Sequence, residues 1–143
     1  MTIPVWVAPS ARDLTRTYMI AQLAARTPPI TGTWTASVPA VRPSGAFFTI
    51  EELNSATEYG VFADAQMIQI RAYSTDLKWL GNTMRLIKGL WKVMPAWVDP
   101  SPPHNQAQSV EHAGGPLYDE DPDVPGLRYG QLIAWVTVMT KLM

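Results

Sequence analysis

The sequence predicts an α+β fold: a single domain with a mainly antiparallel β-sheet, two α-helices packed on one face, and long Pro-rich loops. Three observations predict it. Strand-like segments come in runs instead of alternating with helices, so the sheet need not be built from parallel crossover units. Two segments carry apolar residues at helical spacing. The chain has 143 residues, which suits one domain. At that size about two-thirds of the unfolded surface can be buried.

Met1 to Pro9 is expected to be an N-terminal arm, and the opening stretch lacks the charged start and long apolar core of a signal peptide, so none is expected. The first helix opens at Ser10, which caps it, with Asp13 three residues on. Leu14, Tyr18, Ala21 and Ala25 then share a face, with Met19 and Leu23 beside it. The Thr27–Pro29 stretch ends the helix, since a residue before Pro avoids the α region. Alternation predicts strands over Thr33–Val38 and Ala46–Leu53, joined through a Pro-rich connection. Asn54 to Gly60 reads as a turn into a longer strand, Val61–Tyr73, so these two are expected to pair antiparallel. In that strand Ile68, Ile70 and Ala72 face one way, and Gln69, Arg71 and Tyr73 the other.

The second helix is expected to be capped by Ser74 or Thr75, with Asp76 in its first turn. Leu77, Leu80, Met84, Ile87 and Trp91 form its sheet-facing stripe. Residues 95–127 then read as a Pro-rich, acidic loop region holding one short strand, Gln106–Glu111. Within it the Gly114–Gly115 pair reads as a turn. The last segment, Arg128–Leu142, is a strand with two largely apolar faces. It is therefore expected to be central, or covered by another subunit.

Composition narrows the function. With no cysteine, disulfides, thiolate zinc sites and Cys nucleophiles are excluded. Charged residues make up only 16%, below the usual ~25%. Part of the surface is then polar-neutral or apolar, as in a subunit of an oligomer. A net charge of −1 argues against electrostatic nucleic-acid binding by the whole protein. No stretch approaches ~18 uninterrupted apolar residues, so no membrane-spanning helix is expected.

Candidate chemistry is sparse. His104 and His112, with acidic neighbours, could serve a metal site, but both fall in predicted loops or a loop-bounded strand. No Gly-x-Ser-x-Gly elbow exists. Tyr118–Asp123 packs four carboxylates into five positions. It lacks the central Gly and terminal Glu of a calcium loop, so a solvated acidic segment that could dock electrostatically is the preferred reading. The tryptophans could stack on bases or sugars, but Trp91 and Trp135 fit core or interface packing better. Trp6 and Trp97 look like anchors for an arm and a loop. Lys88 and Lys92 suit the C-terminal end of the helix dipole, and Asp76 the N-terminal end. Arg71, Lys78, Arg85 and Lys88 could also form a basic face. The segment that follows holds Asp99, Glu111, Asp119, Glu120, Asp121 and Asp123 without a single Lys or Arg. In a ring, one subunit's acidic segment could meet its neighbour's basic surface.

Three stretches carry a family resemblance: the opening helix (Ala11–Arg26), the strand–helix join (Ala65–Val93) and the acidic-to-aromatic approach to the last strand (Gly114–Val138). In element order and texture the chain resembles tail terminator proteins of long-tailed bacteriophages, including that of phage lambda and related minor tail proteins. The resemblance implies a non-enzymatic virion protein with no cofactor and no metal. Such a protein forms a hexameric homo-oligomeric ring that caps the tail tube, ends its polymerisation and offers the head-joining surface. Its expected partners are the major tail tube protein, a head-completion protein, and genomic DNA passing through the bore without sequence-specific binding. It would be assembled in the host cytoplasm and reside at the tail or neck. Subunit or tube contacts would fall on Arg71, Lys78, Arg85, Lys88, Asp119, Glu120, Asp121 and Asp123. The alternatives are a head-completion or stopper protein of the neck and, from another class, a small ligand- or metal-binding module using His104, His112 and the acidic segment.

Overall fold

The computed structural model describes the backbone of residues 2–59 and 62–142, and their side chains outside 54–59. The order is β1 (Trp6–Val7), α1 (Ala11–Ala24), β2 (Thr33–Thr35), β3 (Phe47–Tyr59), β4 (Ala63–Ser74), α2 (Leu77–Lys92), a single 3-10 turn (Met94–Ala96), β5 (Ala107–Glu120), β6 (Arg128–Met139) and β7 (Lys141–Leu142). Five strands form one sheet in the order β2-β3-β4-β6-β5. Only the short β2–β3 pair is parallel. β1 and β7 form a separate two-stranded ribbon. The predicted α+β class with a mainly antiparallel sheet is what the chain adopts.

Alternation assigns the sheet's faces. Ile68 lies opposite Ala134, and Ile70 opposite Leu132. These side chains, with Ala72, Val136, Val138, Phe48 and Ile50, are buried in one core beneath both helices. α2 contributes Leu80, Met84, Ile87 and Trp91 to it. Leu77 is the exception within the predicted stripe: at the helix's first position it is 57% exposed. Asp76 itself is the N-cap, accepting from the amides of Lys78 and Trp79 at 3.1 Å each. Ser74 lies two residues back and accepts from the Asp76 amide at 3.0 Å. The carboxylate wins because its charge also complements the dipole.

α1 opens as expected, with Ser10 Oγ accepting from the Asp13 amide at 3.1 Å. Its buried face is Ala11, Leu14, Thr15, Tyr18, Met19 and Leu23, while Ala21 and Ala25 are exposed. The helix rolls by part of a turn to bury Met19 and Leu23, whose apolar area exceeds that of two alanines. The Tyr18 hydroxyl donates to the Leu90 carbonyl, tying the two helices together.

The largest correction concerns residues 95–127. Instead of a short strand between loops, β5 runs for 14 residues, Ala107–Glu120, along the outer edge of β6. The Gly114–Gly115 pair sits inside this strand, not in a turn. Two register shifts, between His112 and Gly114 and between Gly114 and Leu117, absorb the extra residues. Pro116 is tolerated because an edge strand does not need every N–H. Gly115 has φ 102°, and a Cβ there would stand 2.3 Å from the Gln131 carbonyl oxygen. Gly130 on β6, opposite Tyr118, lets Met84 of α2 approach the sheet, as a Cβ would meet its Cγ at 2.5 Å.

Other boundaries shift as well. β2 is shorter than predicted. β3 continues through residues 54–59, where a turn was expected, and pairs with β4 as far as Tyr59 opposite Ala63. Gly60 and Val61, the expected end of that turn and start of the next strand, lie outside the described residues. β6 is central, as its two apolar faces predicted, lying between β4 and β5.

Candidate assembly interface

Charge divides with the layers. The helical segments, with their caps and the residues just beyond them, hold seven cations: Arg12, Arg16, Arg26, Lys78, Arg85, Lys88 and Lys92. Against these stand two acids, Asp13 and Asp76. Four cations and ten acids remain for the rest of the chain. The helix layer is thus basic, and the strands and loops are acidic. Such separation creates surfaces that steer and orient association.

The structure distributes the eight predicted contact residues over several surfaces. Lys78 and Arg85 are exposed on α2, Arg85 holding the Asn82 side-chain oxygen. Lys88 is half-buried and reaches the Gly115 carbonyl of β5 at 3.4 Å. Arg71 lies on the opposite, helix-free face of the sheet. There it donates to Gln131 Oε1 at 2.8 Å and stacks its guanidinium 4.5 Å from the Tyr129 ring centre. That stacking joins it to an aromatic row in which Phe47 and Tyr73 pack face to face at 4.5 Å. Arg71 therefore braces the sheet's outer face and does not extend the basic helix surface.

The acidic run is also split. Asp119 and Glu120 are exposed at the end of β5, Glu120 pairing with Arg128 at 3.2 Å. Asp121 is buried, its two oxygens meeting Arg42 Nε and Nη2 at 3.0 Å each. It also accepts from the Asp123 amide at 2.8 Å. Asp123 remains exposed and touches Arg42 at 3.2 Å. Hydrogen bonds from Arg42 hold the Asp121 carboxyl below its usual pKa, outweighing the opposing effect of burial. Sequence reasoning missed Arg42. The available signal was that it is the lone cation between Arg26 and Arg71.

The histidines do not converge. His104 Nδ1 lies 3.0 Å from the Asp99 carbonyl in an exposed turn. His112 packs edge-on against Trp91, ring centres 5.5 Å apart, and neither of its nitrogens makes a hydrogen bond of good geometry. Among the described residues, no three His, Asp or Glu side chains cluster as metal ligands would. Burial pushes the His112 pKa below the usual 6.5; the Lys88 backbone partly opposes this, and the Lys88 and Lys92 charges add to it. The folded chain therefore disfavours the imidazolium. This contribution to stability is complete above the unfolded value of ~6.5 and is lost as pH falls through the lower folded value. Melting curves from pH 7.5 to 5 should show stability declining in the native chain. The decline should be shallower in His112→Phe, which keeps the ring contact. Parallel profiles would rule out His112 as the source.

Two of the concave surfaces among the described residues bear on assembly. One, of about 910 Å³, lies on the helix-free side and is lined by Ala65, Ser109, Glu111, Trp135 and Thr137 among others. The other, of about 370 Å³, lies between the end of α1 and α2, with Pro28, Ile30, Trp79 and Leu86 as its apolar lining.

No protein-family model and no curated protein matches the chain. Among solved structures, the fold is similar to a chain in the virion of a native gene transfer agent particle. That match has a TM-score of 0.61 and 11% identity, and covers 91% of this chain and 95% of the other. At that identity, what the two chains demonstrably share is the fold.

Proposed function

We propose that this chain is a structural virion protein which, as a ring of like subunits, caps a tail tube, ends its polymerisation and presents the surface that joins the head. The observation that carries the reading is the near end-to-end agreement of its fold with a chain of a virion. The resemblance to tail terminators supplies the hexameric number, the tube and head-completion partners, and the passage of DNA through the bore. The separation of a basic helix layer from an acidic sheet edge supports assembly by surface complementarity, without catalysis. In this mechanism the ring binds the last tube ring, and its far face offers no further tube subunit a seat.

Deleting the gene from a particle-producing genome, then measuring tube length by electron microscopy, tests the reading. Tubes should overrun their normal length, and the protein should be present in purified wild-type particles. Absence from those particles would sink the proposal. Tubes of normal length that lack heads would instead place the chain at the neck as a stopper.

A further inference from the structure

We propose that the groove between residues 26–30, which follow α1, and α2 is the seat for the end of β5, Leu117–Glu120, of a second copy of this chain; the proposal rests on the ring reading and specifies its contact. The groove has an apolar floor, one cation in its lining and a second bonded to a lining residue. Arg26 lines one side, and Arg85 is held by Asn82 on the other. Its Trp79 packs against Phe48 of β3, next to the β2 edge of the sheet, with ring centres 6.2 Å apart. At the opposite edge, β5 presents Leu117 at 62% and Tyr118 at 47% exposure, followed by the exposed Asp119 and Glu120. An aliphatic and an aromatic anchor followed by two acids match an apolar floor with guanidinium groups beside it.

Charge also decides against the obvious alternative, in which the open edges of two copies extend one sheet. The β3 edge carries Glu51 and Glu52, and β5 carries Glu111, Asp119 and Glu120. Pairing them would set acid against acid, a common protection of edge strands. The groove instead offers β5 a basic surface. Groove and strand end are unlike patches at opposite edges of one sheet, so the contact is head-to-tail. Such contacts repeat from copy to copy and close into a ring when the rotation permits.

The chain contains no native cysteine, so introduced thiols report contacts directly. Asn82→Cys and Leu117→Cys chains, both altered at exposed positions, are mixed and mildly oxidised. Arg26→Cys with Tyr118→Cys provides a second pair of different geometry. In at least one pair, mixed disulfide dimers should form about tenfold or more faster than in either variant alone, because docking raises the effective thiol concentration. The corresponding double variant should give a ladder of linked chains. Mixtures of both pairs reacting no faster than single variants would overturn the proposal. So would a chain that remains monomeric at about 1 mM in sedimentation. If linking fails while gene deletion still lengthens tubes, the contact is wrong and the terminator reading stands. Linking without a tube-length effect would leave the contact standing and remove the terminator reading.

Discussion

Gly115→Ala should destabilise the fold by about 3 kcal/mol or more, while Gly114→Ala, one residue away, should change stability by less than about 1 kcal/mol. The contrast comes from backbone conformation and space. Gly115 sits at φ 102°, a conformation that L side chains rarely adopt, and its new Cβ would stand 2.3 Å from the Gln131 carbonyl oxygen. That obstacle is backbone of the central strand β6 and cannot rotate away. An added Cβ at Gly114 meets nothing within 4 Å. The substitution there also removes conformational freedom from the unfolded chain, which offsets part of any cost. Urea denaturation of both variants measures the difference. Equal losses would mean that the bulge at Gly115 does not set the register of β5. A large loss at Gly115 alone would show that one glycine positions Leu117–Glu120, since the shift in pairing lies between Gly114 and Leu117.

The same bulge explains what the sequence could and could not disclose. β4, α2 and β6 were legible because each repeats its period without interruption: Ile68, Ile70 and Ala72 at two, and Leu80, Met84, Ile87 and Trp91 at helical spacing. β5 was not, because Gly114, Gly115 and Pro116 interrupt its alternation locally. Pairing with β6, a long-range effect, carries the strand through them. The face of α1 was misjudged by part of a turn for a related reason. Local pattern put Ala21 and Ala25 on the face and Met19 and Leu23 beside it, and packing buried the pair with more apolar area. Among the candidate contacts, the exposure of Lys78 and Arg85 followed from their positions off the apolar stripe. The placement of Arg71 on the far face was readable too, since it alternates with Ile70 and Ala72. The fate of Asp121 was not readable: its partner Arg42 is 79 residues away, and only the fold brings them together.

That pairing gives the second large effect. Asp121→Asn should lower the melting temperature at pH 7 by more than the double change Asp119→Asn with Glu120→Gln. Asp121 is buried and shares two 3.0 Å contacts with Arg42, which also donates to the carbonyls of Pro39 and Ala40. The clamp thereby fixes the 39–42 segment against the turn entering β6. Glu120 and Arg128, in contrast, are both substantially exposed, and such pairs are worth only about 0–1 kcal/mol. The pH dependence separates the cases. Because Arg42 lowers the folded pKa of Asp121, the stabilisation is present above the unfolded value near 3.8 and disappears as pH falls through the lower folded one. The gap in melting temperature between native and Asp121→Asn chains should therefore be wide at pH 7 and close in strong acid. Salt should weaken the Glu120 pair more than the clamp, since buried pairs are screened less. Assembly should respond in the opposite order: the double variant, with its fold intact, should lose association, because its two acids face outward at the end of β5. A double variant that associates normally would remove Asp119 and Glu120 from the contact. An Asp121→Asn chain that melts like the native protein at pH 7 would show that the clamp contributes nothing to stability.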